Sequence, residues 1–157
     1  MFLPSFSKIL QKLVYNRLIN YLSKYKILSD NQFGFHKHHS TECALALLND
    51  KISSAIDSHE VTVGIFIDLS EAFDNVSHQI LLDKLQDYGI RGIAFDWFSD
   101  YLKNRQQFVQ FNGCDSSHHF IKCEVPQGPI LGPLLFLIYI NDMCDVSKLL
   151  DFILFAE

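Results

Sequence analysis

The stretch Val61-Thr62-Val63-Gly64-Ile65-Phe66-Ile67-Asp68 constrains the fold of this chain more than any other. Its β-branched residues recur at period two after the polar Ser58-His59-Glu60, which is the pattern of a strand. Alternation puts Val61, Val63, Ile65 and Ile67 on one face and Thr62, Gly64, Phe66 and Asp68 on the other. The first face calls for a core; the second ends in a carboxylate. An acid at the end of a buried strand costs several kcal/mol unless a donor, a cation or a metal meets it. Gly64 adds a hint, because a strand glycine often marks the close approach of a ligand or another backbone. Local pattern leaves a second reading open, in which Asp68 caps the following turn and meets only backbone N–H groups.

A chain of 157 residues with 48% hydrophobic content is long enough to bury one real core. No stretch reaches the roughly 18 apolar residues of a membrane span, so no membrane partner is expected. Met1-Phe2-Leu3-Pro4 lacks the basic start and long apolar middle of a signal peptide, and the four cysteines form no CxxC pair. An intracellular setting, nuclear or cytoplasmic, with reduced thiols follows as the expectation. Only Cys114 and Cys123 are placed to pair, across a hairpin. The net charge of −5 argues against a stand-alone nucleic-acid binder, but it is unevenly spread: +4 through Lys51 and −9 beyond it. Phosphate contacts therefore belong early in the chain and acids late. No feature points to a protein partner.

Ser7 to Tyr25 reads as an amphipathic helix through Ile9, Leu10, Leu13, Val14, Leu18, Ile19 and Leu22. A loop, Gln32 to Thr41, leads into a second helix from Thr41 to Ile56, with Ser40 or Thr41 as N-cap. Ser77 or Asn75 opens a third helix that Gly89 stops, and Gly92 to Lys103 forms a fourth. Gln106–Phe111 and Phe120–Val125 are expected to pair as a hairpin through Asn112 to Ser117. Pro126-Gln127-Gly128-Pro129 is a loop, Pro133 starts an apolar helix through Tyr139, and Leu149 to Phe155 is a last strand. This order predicts an α+β fold rather than a parallel βαβ array.

His36-Lys37-His38-His39 lacks the second spaced ligand pair of a zinc site and is better suited to receiving phosphate. Ser70, His78 and Asp68 make a triad on paper only, since no Gly-x-Ser-x-Gly elbow exposes the serine. The chain carries a more specific series. Phe66-Ile67-Asp68-Leu69-Ser70-Glu71-Ala72-Phe73-Asp74-Asn75-Val76-Ser77-His78 resembles the first catalytic motif of reverse transcriptases from non-LTR, LINE-type retrotransposons. Val125-Pro126-Gln127-Gly128-Pro129-Ile130-Leu131-Gly132-Pro133-Leu134-Leu135-Phe136, with Tyr139-Ile140-Asn141-Asp142, resembles the second. Gln32-Phe33-Gly34-Phe35 and His39-Ser40-Thr41 resemble a fingers segment of the same family.

The resemblance implies a partial right-hand polymerase without a thumb, with residues 1–60 fingers-like, 61–157 palm-like, and the third motif at the end. It implies RNA-directed DNA synthesis on an RNA template, with a DNA primer and deoxynucleoside triphosphates. Asp68 becomes a ligand for Mg2+, two such ions stabilising the attacking and leaving oxygens of an in-line displacement. Phe73 matches an aromatic gate against the ribose 2′-OH, although plain core packing explains a phenylalanine equally. Gln127 and Gly128 match a loop lying against nucleotide and template.

Departures accompany the match. Leu154-Phe155-Ala156 leads into the third motif, but Glu157 stands where the family has the first of two aspartates. Glu71 replaces a commonly basic residue, His36 an arginine, Glu124 a glycine and Pro129 a serine. Negative charge at Glu71 and Glu124 opposes an approaching polyphosphate. The expectation is a chain inactive in isolation; the alternative is a non-catalytic remnant that binds nucleic acid or protein.

Overall fold

Local signals for helices translate directly into structure. The computed structural model describes residues 5–35, 39–103, 106–117, 119–120, 123–125 and 130–156. Helices α1 (Ser5–Lys24), α2 (Thr41–Asp57), α3 (His78–Asp87), α4 (Ile93–Leu102) and α5 (Gly132–Ile140) are accompanied by four two-residue strands between α4 and α5. A 3₁₀ turn, Asn141–Val146, follows α5. The chain is α+β, as its pattern predicts, with less sheet than expected among the described residues.

The helix ends show why the boundaries fall where they do. Ser40 caps α2, its hydroxyl accepting from Cys43 N–H at 3.3 Å. After α3, Gly89 takes φ 86°, and its N–H and that of Ile90 return to the Gln86 and Leu85 carbonyls at 2.9 Å each, a Schellman closure. The ends of α1 and α2 repeat it with Lys26 (φ 50°) and His59 (φ 57°) in the left-handed position.

The chain forms two compact units, each built from two separate stretches: residues 1–17 with 71–139, and residues 18–70 with 140–157. In the first, α3 packs on α4, and the core holds Leu81, Leu82, Leu85, Phe98 and Leu102 with Leu134 to Ile138 of α5. Helix α5 is apolar all round and buried accordingly. Lys84 donates to the Tyr139 carbonyl, and its ammonium lies 5.2 Å from the Tyr139 ring centroid, placing a cation at the end of α5.

The expected hairpin forms with a different return. Strands β2 (Gln110–Phe111) and β3 (Cys114–Asp115) meet across Asn112-Gly113, both at positive φ (49° and 78°), a two-residue turn suited to strand twist. Below them β1 (Gln106–Gln107) pairs with β4 (His119–Phe120) in a register shifted by one residue. The returning side therefore carries one residue more than the outgoing side, the count of a bulge. It does not continue paired to Val125: Cys123 bridges Ser77 instead. Cys114 and Cys123, the one pair the sequence placed to bond, are both free and exposed thiols.

In the second unit, Asn141 acts like a short piece of sheet. Its Oδ1 accepts from Ser29 N–H and its Nδ2 donates to the Ile27 carbonyl, each at 2.8 Å. Leu154 pairs in parallel with Gln32, through Phe33 N–H to the Leu154 carbonyl (2.8 Å) and Leu154 N–H to the Asn31 carbonyl (2.9 Å). The expected last strand is reduced to this bridge. Gly34 lies directly on the Ala156 backbone, where a Cβ would overlap the Ala156 carbonyl.

Candidate functional site

The first-motif segment departs from expectation. Residues 61–69 run without strand pairing, and Val61, Ile65 and Phe66 are 92%, 79% and 85% exposed. A strand exists only by hydrogen bonding to a neighbour, and no described residue supplies one here. Asp68 is therefore exposed rather than buried, and the desolvation cost argued from the sequence does not arise. It makes no hydrogen bond or ion pair with any described residue. The space at Gly64 is bounded by the Phe66 ring, 3.5 Å from where a Cβ would stand, and not by another strand.

Beyond Ser70 the chain tightens into a turn. Glu71 adopts φ 54°, and its carbonyl accepts from Asp74 N–H (3.0 Å), Asn75 N–H (3.2 Å) and the Asn75 side-chain amide (3.0 Å). This turn presents Phe73, which is half-buried and stacked on Phe136 of α5, centroids 4.3 Å apart and planes 27° from parallel. Core packing thus fixes one face of the ring.

The same turn holds the segment that enters the second motif. Val125 N–H donates to the Phe73 carbonyl at 3.0 Å and Glu124 N–H to the Val76 carbonyl at 3.1 Å. His78, buried at the start of α3, places Nε2 2.8 Å from the Glu124 carbonyl oxygen. A carbonyl carries no proton, so Nε2–H is the donor. The imidazole is thereby committed to a structural bond and not to a serine. Glu124, at the family's glycine position, has φ 108°, a region that favours glycine. Sequence reasoning named His78 only in the discounted triad and gave Asn141 no side-chain role; each lies inside a quoted motif, but neither side chain's partner is close in sequence.

Gln127, Gly128 and Glu157, with His36, Lys37, His38 and Pro129, lie outside the described residues. His39 stacks near Phe33, centroids 5.0 Å apart, with Nδ1 2.9 Å from the Gln32 carbonyl. Among the described residues no three His, Cys, Asp or Glu side chains stand together as metal ligands. A magnesium pair needs several carboxylates, and Asp68 is a single one, so the described residues do not by themselves fit such a pair. No described helix is long and apolar enough to cross a membrane.

Comparison with known proteins agrees with the motif order. The sequence model of a family described as reverse transcriptase (RNA-dependent DNA polymerase) matches residues 1–156. Over 141 residues the chain is 36% identical to a Drosophila melanogaster protein named "Probable RNA-directed DNA polymerase from transposon X-element", covering 90% of this chain and 15% of that protein. It is 34% identical over 147 residues to the corresponding protein of transposon BS from the same species, covering 90% and 16%. It is 33% identical over 141 residues to the RNA-directed DNA polymerase from mobile element jockey of Drosophila funebris, covering 90% and 15%. The chain therefore spans about a sixth of the length of these relatives. With the motifs in order and the match running from residue 1 to residue 156, the chain belongs to the reverse transcriptase family.

Proposed function

We propose that this chain is the fingers-to-palm part of an RNA-directed DNA polymerase of a non-LTR retrotransposon, and that as a 157-residue span it does not polymerise. The parent reaction is nucleotidyl transfer onto a DNA primer, directed by an RNA template and fed by deoxynucleoside triphosphates. In that reaction Asp68 would be one carboxylate holding magnesium, which when bound would supply charge stabilisation to the displacement. Phe73 is the gate beside the sugar, Gln127 and Gly128 belong to the loop against the base pair, and Glu157 stands in for the third-motif aspartate. The setting is intracellular.

The observation that carries this reading is the join between Phe73–His78 and Cys123–Val125, which brings the end of the first motif to the start of the second. The proposed inactivity rests on the sequence: Glu157 stands where the family has the first of two aspartates.

Magnesium-dependent primer extension on an RNA template, with Asp68→Ala as control, tests it. No extension is expected from either chain. Extension that Asp68→Ala abolishes would overturn the inactivity and support the site. RNA binding that weakens smoothly with salt and ignores Asp68→Ala would favour a binding remnant instead.

A further inference from the structure

Glu124 holds a backbone conformation that an L side chain rarely adopts, φ 108°, directly before Val125 and the Pro126-Gln127-Gly128 loop. Such a conformation persists only where its surroundings over-determine it. Three hydrogen bonds do so here. Two are backbone bonds, from Glu124 N–H to Val76 and from Val125 N–H to Phe73. The third is made to Glu124's own carbonyl, by the imidazole of His78. His78 is 7% exposed, and Val76 and Val125 of the same join are wholly buried, so water competes little for that carbonyl. The Ser77–Cys123 bridge closes the same join one residue away.

We propose that His78 is a positioning residue: its Nε2–H, held on the Glu124 carbonyl, locks the segment entering the Gln127 loop onto the turn that carries Phe73. The clamp acts through the backbone, and His78 touches no substrate. Its value for synthesis rests on the reading of Phe73 and Gln127 as nucleotide contacts. The clamp holds Glu124 and Val125 on the turn that carries Phe73, and loosening it frees those two residues while Phe73 stays stacked on Phe136.

The test uses the whole chain, labelled with nitrogen-15, in wild-type, His78→Phe and His78→Gln forms. Phenylalanine keeps the ring and loses the donor; glutamine keeps an N–H of similar reach. In His78→Phe the Glu124 and Val125 amides are expected to exchange about tenfold faster, the loss of one good hydrogen bond, while the Leu135 amide of α5 is unchanged. In His78→Gln they stay within about threefold of wild type. A merely structural histidine would speed all three amides together, and that result overturns the proposal, as does unchanged exchange in His78→Phe. Ring-nitrogen shifts of the wild-type protein decide the matter even where a variant fails to fold: a proton on Nε2 supports the clamp, and a proton on Nδ1 alone overturns it. Neither readout needs a nucleotide. Failure of Mg2+–deoxynucleoside triphosphate to protect Phe73 or Gln127 would therefore count against the nucleotide-site reading without touching the clamp.

Discussion

Glu124 and Phe73 show how little of a residue's role is carried by its own chemistry. At φ 108° the Glu124 backbone is strained, and that backbone, not the carboxylate, makes the contacts. Glu124→Gly keeps all three hydrogen bonds and removes the strain. Relief of about 1–3 kcal/mol, offset by about 0.5–1 kcal/mol of glycine chain entropy, predicts a net gain of about 1 kcal/mol, read as a higher urea midpoint. Phe73→Ala exposes one face of Phe136 and is expected to cost about 2 kcal/mol. Asp68→Ala, at an exposed position, should change the same midpoint by less than about 0.5 kcal/mol. A large loss on removing Asp68 would mean that the carboxylate has a structural partner after all.

At the scale of elements, what is legible in the sequence is what is local. The helices follow from 3.6-residue periodicity, Ser40 from the cap it makes, and Asn112-Gly113 from the turn that only such residues enter cheaply. Ser40→Ala should cost about 1 kcal/mol by thermal melting. The Ser40 hydroxyl, followed by Glu42's own backbone N–H, holds the Glu42 carboxyl below its ordinary 4.5. A lowered folded-state value favours folding above the ordinary carboxylate range, and that contribution fades as pH falls through it. The segment 61–67 misleads because its alternation states which faces the side chains take, and says nothing of who pairs with its backbone. Its exposed apolar row predicts self-association. Ile65→Lys should lower the sedimentation-measured association while leaving the melting temperature within about 2 °C. Asp68 is legible as part of a motif; the His78 bond is not, since it spans 46 residues.

For the molecule as a whole, the division into units 1–17 with 71–139 and 18–70 with 140–157 places a boundary between Ser70 and Glu71. The exposed, unpaired run before that boundary makes a prediction about cleavage: chymotrypsin at low dose should cut first after Phe66 or Leu69, read by the masses of the two fragments. First cuts within α5 or α3 would contradict the described burial. The positive early and negative late charge places any phosphate affinity in the first third of the chain.

The side chain of Asn141 meets Ile27 across 114 residues of sequence. A ribosome adding roughly 5–20 residues per second delivers the early partner several seconds before the late one. The turn after α1 thus leaves the exit tunnel with its Ser29 amide and Ile27 carbonyl still facing solvent. Both units are closed by segments made late, so neither completes until those segments emerge.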